Sequence, residues 1–132
     1  MHSSTTLVAV VDDDQSMREA LRGLLQSVGL AAEIFSSAED FLRSASRDRT
    51  RCLIADVYMP AMTGLELQRL LRGAERRIPI ILISAHDDPP LRAQALAGGA
   101  VRFLKKPFAA EDLLGAVQAA LGGRADGCAA MH

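Results

Sequence analysis

Short hydrophobic runs recur along the chain and are separated by longer segments with helical spacing. Four of the five runs are nearly unbroken, and unbroken apolar strands are typical of parallel sheets that are covered on both faces. The pattern therefore predicts five strands in one parallel sheet. The predicted strands are Leu7–Val11, Ala32–Phe35, Cys52–Ala55, Ile80–Ile83 and Val101–Leu104.

The segments between these runs carry apolar residues at the three- and four-residue spacing of amphipathic helices. The clearest follows the first strand and is followed by Gly29, a residue type that commonly ends helices. A second begins where Ser36 and Glu39 stand at capping-box spacing. Pro60 and Gly64 are expected to shape the turn before the third, the glycine by permitting unusual φ. The predicted helices are about Met17–Val28, Ala38–Ser46, from Leu65 onward, Pro90–Ala97 and Ala110–Leu121.

Strict alternation of strands and helices predicts a doubly wound α/β sheet of five parallel strands with helices on both faces. The third helix is predicted to turn Leu67, Leu70 and Leu71 toward the sheet. At 132 residues the chain suits a single domain. We expect residues 1–6 to be disordered, residues 7–121 to form the domain, and residues 122–132 to be a flexible tail or a truncated linker.

Charge and hydrophobicity exclude some classes of protein. The chain carries 15 basic and 16 acidic residues, so the composition argues against direct binding to nucleic acid or anionic lipid. No apolar run approaches the roughly 18 residues that a membrane span needs. Cys52 and Cys128 lack the spacing of a metal site or a disulfide framework, so we expect free thiols and a cytoplasmic protein.

Polar residues follow four of the predicted strands at the point where each strand ends. All strands of a parallel sheet run one way, so their carboxyl ends share one edge, where ligands bind. Taken alone, each residue is typical of a loop or a helix start. Their common edge indicates a site. In chain order the residues are Asp12-Asp13-Asp14, Asp56, Ser84 and Lys105-Lys106-Pro107.

These residue types suit phosphoryl transfer. Crowded carboxylates repel one another, and a hard divalent cation such as Mg²⁺ relieves that repulsion. A carboxylate can also be the nucleophile that accepts phosphate as an aspartyl phosphate. The charge of Lys106 and the hydroxyl of Ser84 would stabilise the transferring group. The pattern therefore indicates a magnesium-dependent phosphoryl-transfer site.

Four segments, in their order and spacing, resemble the receiver domain of two-component response regulators. They are VVDDD, ADVYMPAMTG, IILISAH and GGAVRFLKKPF. The resemblance covers about Leu7 to Leu121 and implies a flavodoxin-like (βα)5 fold with strand order 2-1-3-4-5. Within the family, SAEDFL, SAHDD and AGGAVRFLKKPF are most similar to receivers of nitrogen-fixation-type regulators with a LuxR-type helix-turn-helix output.

The resemblance implies a phosphorylation site and its metal ligands by position. Asp56 corresponds to the phospho-acceptor and Asp13 to the main Mg²⁺ ligand, with Asp12 assisting through water. The backbone carbonyl of Tyr58 would complete the protein ligands, and Mn²⁺ is the alternative ion. Tyr58 and His86 occupy positions at which the family varies the side chains that shield the acyl phosphate.

The resemblance also implies a conformational switch. Ser84 corresponds to the switch hydroxyl, Phe103 to the switch aromatic and Lys106 to the lysine that pairs with the phosphate. The family has a cis peptide bond before the proline, here Lys106–Pro107, and X–Pro bonds disfavour cis only mildly.

The partners that the resemblance implies are a sensor histidine kinase, a second phosphorylated copy and an output that controls transcription. The dimer would form on the face of the fourth helix, fifth strand and fifth helix. Receivers of this subgroup precede a DNA-binding domain, and GGRADG resembles the beginning of a linker. That favours a fragment over a stand-alone regulator.

Two other functions stay open at this point. A haloacid-dehalogenase-type phosphatase would use Asp12 as nucleophile in an Asp-x-Asp sequence, with Ser84 and Lys106 completing its site. That scheme leaves ADVYMPAMTG without a purpose, and Asp87-Asp88 precedes the lysine instead of following it. The other alternative is a binding module that signals without phosphate. All the expected polar positions are filled, which argues against it.

Overall fold

The computed structural model describes residues 6–74, 77–86 and 88–129. Strands and helices alternate through these ranges, as the hydrophobic pattern predicts. The strands are β1 (Leu7–Val11), β2 (Ala31–Phe35), β3 (Thr50–Asp56), β4 (Ile80–Ser84) and β5 (Arg102–Lys105). The helices are α1 (Gln15–Ser27), α2 (Ala38–Arg43), α3 (Gly64–Arg72), α4 (Pro89–Ala97) and α5 (Ala110–Ala129).

The strands form one parallel sheet in the order β2-β1-β3-β4-β5, which confirms the predicted architecture and strand order. The register places the carboxyl ends of the strands side by side. Asp56 at the end of β3 pairs with Ile83, and Ser84 at the end of β4 pairs with Lys105. The residues that follow the central strands therefore meet at one edge.

Hydrophobic clusters cover both faces of the sheet. Alternate strand residues point to opposite faces, so Val8 and Val10 belong to one cluster and Ala9 and Val11 to the other. α1 and α5 cover the first face, and α2, α3 and α4 cover the second. The buried residues that the helices supply include Leu21 and Leu25 of α1, Phe41 of α2, Leu67 and Leu71 of α3, Leu91 and Ala95 of α4, and Leu113 and Val117 of α5.

The predicted buried face of α3 is wrong at one position. Leu67 and Leu71 are buried, whereas Leu70 is 46% exposed. Successive helix residues are rotated by about 100°, and the buried side of α3 is formed by Gly64, Leu67, Gln68 and Leu71. That arrangement leaves Leu70 on the outer side.

The start of α2 also differs from the prediction. Ser37, not Ser36, is the N-cap, because its Oγ accepts a hydrogen bond from the backbone N–H of Asp40 at 3.1 Å. Ser36 Oγ instead donates to the Asp40 carboxylate at 3.3 Å. The helix ends at Arg43, and a 3-10 helix follows over Ala45–Arg49.

The turn between β3 and α3 requires Gly64 for its size. A Cβ on Gly64 would lie 2.5 Å from the carbonyl oxygen of Asp56, closer than real Cβ contacts allow. The expectation that Gly64 supplies an unusual φ is wrong, since the positive φ in this turn, 69°, belongs to Ala61. An unpredicted capping box, formed by Thr63 and Glu66, starts α3.

The last helix continues past its predicted end. α5 reaches Ala129, so it runs through much of the segment expected to be a tail. No proline interrupts that segment, but Gly122, Gly123 and Gly127 disfavour helix, so local propensity does not account for the extension. Residues 1–5 and 130–132 lie outside the described residues. None of the helices in the described ranges is long and apolar enough to cross a membrane.

Candidate functional site

An acidic cluster lies at the carboxyl edge of the sheet. Asp12 and Asp13 follow β1 and Asp56 ends β3, and one carboxylate oxygen from each lies within 4.8 Å of the others. Asp12 is fully buried and Asp56 is 7% exposed, whereas Asp13 is exposed. The register of β1 and β3, in which Val11 pairs with Ala55, brings these acids together.

Lys106 reaches into this cluster from the end of β5. Its Nζ lies 3.0 Å from Oδ2 of Asp12 and 3.1 Å from Oδ2 of Asp56. The backbone N–H of Lys106 donates to the Ser84 carbonyl at 2.7 Å, and its bond to Pro107 is cis. One ammonium group therefore bridges two buried carboxylates.

Hydrogen bonds fix the loop that carries Asp12. Its Oδ1 accepts from the backbone N–H of Asp14 at 2.9 Å, and its own N–H donates to the Phe35 carbonyl at 3.1 Å. Arg18 on α1 donates to the Asp12 carbonyl at 2.8 Å. Sequence reasoning did not identify Arg18; the available signal was its place one helical turn after Asp14.

Asp14 points away from the cluster and caps α1. Its Oδ1 accepts from the backbone N–H groups of Ser16 at 2.9 Å and Met17 at 3.4 Å. The acids that come together are therefore Asp12, Asp13 and Asp56. An Asp-x-Asp site built on Asp12 and Asp14 does not form, and Asp87 lies outside the described residues.

Burial and the neighbouring charges shift the pKa of Asp56 and the pKa of Lys106. Burial raises the pKa of Asp56, and the negative charge of Asp12 raises it further, while Lys106 offsets part of the rise. Burial acts to lower the pKa of Lys106, but its hydrogen bonds and charge interactions with Asp12 and Asp56 outweigh burial and raise it. Lys106 is therefore protonated at neutral pH.

Ser84 and two aromatic rings border the cluster. Ser84 is buried, and its Oγ accepts from the backbone N–H of His86 at 3.0 Å. The backbone N–H of Tyr58 donates to Oδ1 of Asp56 at 3.3 Å, and its side chain is 49% exposed. The rings of Tyr58 and His86 meet edge to face, with centroids 5.0 Å apart.

Phe103 lies away from this edge, beneath α4. It is 4% exposed and belongs to the same cluster as Leu91 and Ala95. The guanidinium of Arg92 covers the ring at 4.9 Å from its centroid. Nothing in the sequence pattern indicates this contact, because it depends on the crossing of a helix and a strand.

The donor set fits a hard divalent cation. Mg²⁺ prefers oxygen ligands and is commonly held by one or two carboxylates together with water and phosphate oxygens. Lys106 contacts Oδ2 of Asp12 and Asp56. The Oδ1 atom of each accepts one backbone N–H and keeps a second lone pair, and the carboxylate of Asp13 is exposed. These groups can bind a cation and a transferring phosphoryl group at the same edge.

The fold and the site define a class of protein: a doubly wound, flavodoxin-like domain with an acidic site at the carboxyl edge of its sheet. The chain belongs to the response regulator receiver domain family, whose profile matches residues 8–118. It is a signalling domain of two-component systems, and the resemblance read from the sequence is confirmed.

Individual relatives agree with this assignment. The response regulator protein TodT of Pseudomonas putida is 47% identical over 121 residues, covering 92% of this chain and 53% of that protein. The transcriptional regulatory protein FixJ of Bradyrhizobium diazoefficiens is 35% identical, covering 86% of this chain and 56% of that protein. The crystal structure of FixJ-N superposes with a TM-score of 0.80 at 36% identity, covering 90% of this chain and 95% of that one. The chain spans about half the length of these curated relatives.

Proposed function

We propose that this receiver accepts a phosphoryl group on Asp56 from a phosphohistidine of a sensor histidine kinase, in a magnesium-dependent reaction. The observation that supports it most is the position of Lys106, which bridges Asp12 and Asp56 beside Asp13. Phosphoryl transfer depends mainly on positioning and on stabilisation of charge. The Lys106 ammonium group and the three carboxylates can supply both.

In the proposed reaction, Asp56 is the nucleophile. A carboxylate oxygen attacks the phosphorus, the O–P bond forms, and the N–P bond to the imidazole breaks with its electron pair returning to nitrogen. The ammonium of Lys106 then pairs with the phosphoryl oxygens, and the Ser84 hydroxyl donates to one of them. The protein chiefly aligns these groups, so little other catalysis is required.

Asp12, Asp13, Asp56 and the Tyr58 carbonyl would hold Mg²⁺, or Mn²⁺ in its place. When bound, the ion neutralises the carboxylates and the phosphoryl oxygens. The mutual distances of the three carboxylates support their part of this ligand set. Asp13 is exposed and thus accessible to an ion that keeps several waters.

The proposed consequence of phosphorylation is a change of the α4–β5–α5 face. Ser84 moves toward the phosphate and the inward orientation of Phe103 becomes the favoured one, which gives the phosphate different contacts in two conformations, as any switch requires. That face then dimerises with a second copy or releases a DNA-binding output domain in a cytoplasmic regulator of transcription. FixJ, named as a transcriptional regulatory protein, supports this output.

Intact-mass measurement with acetyl phosphate and Mg²⁺ tests the proposal. The wild type is expected to gain one phosphoryl group that is lost at alkaline pH, and Asp56→Asn is expected to gain none. Asp14→Asn is the matched control, because it removes the same charge from a side chain that caps α1. It is expected to be labelled like the wild type.

The same samples separate the two alternatives. Turnover of a phosphate ester that is lost in Asp12→Asn and kept in Asp56→Asn would indicate a phosphatase instead. No labelling of the wild type by acetyl phosphate or by a phosphorylated kinase would indicate a binding module.

A further inference from the structure

Arg92 contacts Phe103 through both its ring and its backbone. The guanidinium carbon lies 4.9 Å from the ring centroid, within the range of cation–π attraction. Nη1 also donates to the carbonyl oxygen of Phe103 at 3.4 Å, a long hydrogen bond. One side chain of α4 therefore restrains the orientation of the ring and its position on β5.

This contact covers a ring that is otherwise enclosed by the core. Phe103 is 4% exposed, and it packs in the cluster that holds Leu91 and Ala95 of α4. Arg92 itself is partly exposed, so it lies between the ring and solvent. Turning the ring outward would break the cation–π contact and expose apolar surface.

The amino end of α4 lacks a side-chain cap within the part of the chain that the structure describes. Its N-cap, Asp88, makes no side-chain capping hydrogen bond, and Pro89 and Pro90 have no N–H to donate. A hydrogen bond from Gln68 to the Ala95 carbonyl, 2.9 Å long, fixes the other half of the helix to α3. Arg92 therefore joins the first half of α4 to β5, in addition to the core packing of Leu91.

The strand that Arg92 holds leads directly to the acidic cluster. Phe103 pairs with Leu82 on β4, and Lys105 pairs with Ser84. Lys106, three residues after Phe103, bridges Asp12 and Asp56. Only two residues of the chain separate Phe103 from Lys106, so a displacement of β5 at the ring would also displace the lysine of the proposed reaction site.

We propose that Arg92 is a positioning residue, which holds Phe103 inward before Asp56 is phosphorylated. This inference rests on the proposed function, in which Phe103 is the switch aromatic. Only Ser84, whose hydroxyl accepts from the His86 amide, then has to move on phosphorylation. Holding the ring inward raises the fraction of molecules that are already in the reactive conformation. The receiver therefore reacts more readily with a phosphoryl donor.

Fluorine NMR on protein labelled with 4-fluorophenylalanine tests the inference. Phe103→Tyr identifies the signal of residue 103, and a soluble gadolinium agent reports its exposure. In the wild type this signal should be as protected as that of the buried Phe41. In Arg92→Ala its broadening should rise at least twofold, and Arg92→Lys, which keeps the charge without the planar fork, should lie between.

The reaction supplies a second readout. The apparent kcat/KM for acetyl phosphate should fall about two- to fivefold in Arg92→Ala, the size that a cation–π contact gives, with the Kd for Mg²⁺ unchanged. Arg102→Ala is the matched control, because that exposed arginine on β5 donates to Val101 and not to Phe103. Urea unfolding of each variant verifies that all are folded under the assay conditions.

Three results would overturn the inference. They are an equally protected residue 103 in Arg92→Ala, an unchanged kcat/KM, and the same effects in Arg102→Ala. If the wild type gains no phosphoryl group at all, the proposed function fails, while the fluorine signals still decide whether Arg92 holds Phe103.

Discussion

At the scale of single residues, Lys106 supplies the positive charge that pairs with two carboxylates of the site. Its Nζ contacts a fully buried carboxylate, Asp12, and the nearly buried Asp56. Buried charges are tolerated when they are paired and hydrogen-bonded, and removal of one partner leaves the others uncompensated. The stability of the metal-free domain should therefore depend on this one ammonium group.

Lys106→Met should destabilise the protein by about 3 kcal/mol at neutral pH in chelator, because it leaves two buried carboxylates without a counter-charge. Urea unfolding followed by circular dichroism measures this. The control is Lys105→Met, an exposed neighbour whose replacement should stay within about 0.5 kcal/mol.

The pH dependence of this effect has a definite sign. The pKa of Asp56 is already raised by burial and by Asp12, so protons bind the folded protein more tightly than the unfolded chain. The loss of unfolding free energy in Lys106→Met, relative to the wild type, should therefore become smaller as the pH falls from 7 through the folded-state pKa of Asp56. In the wild type, the contribution of Lys106, whose pKa is raised, is present at neutral pH and is lost only as alkaline pH passes that pKa. A loss that does not change between neutral and acidic pH would contradict this explanation.

The positions of the acids and the lysine followed from the sequence because parallel strands place their carboxyl ends on one edge. The hydrogen-bond partners of these side chains did not follow from the sequence. That Ser84 Oγ accepts from His86, and that Arg18 holds the Asp12 carbonyl, depend on loop conformations. No spacing rule specifies those conformations.

The unit that runs from β3 through its turn to α3 is the element on which Asp56 depends. The backbone N–H of Gly64 donates to the Val57 carbonyl at 2.9 Å, and the Asp56 backbone lies so close that a Cβ on Gly64 would be 2.5 Å from its carbonyl oxygen. The first residue of the helix therefore supports the backbone that carries the proposed phospho-acceptor.

Gly64→Ala should destabilise the protein by about 1–3 kcal/mol, because its Cβ would collide with the Asp56 backbone rather than with a flexible side chain. It should also slow labelling by acetyl phosphate. The control is Gly115→Ala in α5, where nothing beyond the backbone of its own helix lies within 4 Å of the new Cβ and helix propensity predicts a gain of about 0.5–1 kcal/mol. Equal stability of the two variants would contradict the close-packing argument.

Whether a segment forms a strand or a helix was predictable from the spacing of its apolar residues. The residues at which each element begins and ends were less predictable. The runs of β1 and β4 and the apolar spacing of α1 define those elements without ambiguity. Ser36 and Ser37 stand side by side, and only the path of the chain after β2 decides which one caps α2. The need for Gly64 arises from an approach between two elements, which sequence spacing does not show.

Metal binding should be visible in the stability of the whole molecule. A ligand that binds the folded state alone stabilises it, by about 1.4 kcal/mol at ten times its Kd. Mg²⁺ should therefore raise the unfolding free energy of the wild type. In Asp13→Asn this gain should be smaller, and the variant should be slightly more stable than the wild type in chelator because like charges are fewer.

Urea melts of both proteins with Mg²⁺ and with chelator make this comparison. An Asp13→Asn protein that is less stable than the wild type in chelator would show that Asp13 does not add repulsion. An equal gain from Mg²⁺ in both proteins would exclude Asp13 as a ligand.

At the scale of the whole molecule, the fold offers a route for the proposed switch. Under that proposal, a reaction at the carboxyl edge would be transmitted through β4 and β5 to α4, the helix that Arg92 and Gln68 contact. The class of fold was predictable because unbroken apolar strands and strict alternation leave few topologies. The proposed coupling between the acidic cluster and α4 was not predictable, because it rests on side-chain contacts between elements distant in sequence.

The most direct test of the central claim is the location of the phosphoryl group. The protein is incubated with acetyl phosphate and Mg²⁺, digested with pepsin at acidic pH to preserve the acyl phosphate, and mapped by mass spectrometry. We expect one phosphoryl mass on the peptide that contains Asp56, and none when chelator replaces Mg²⁺. A phosphoryl group on a peptide that contains Asp12 and lacks Asp56 would contradict this expectation.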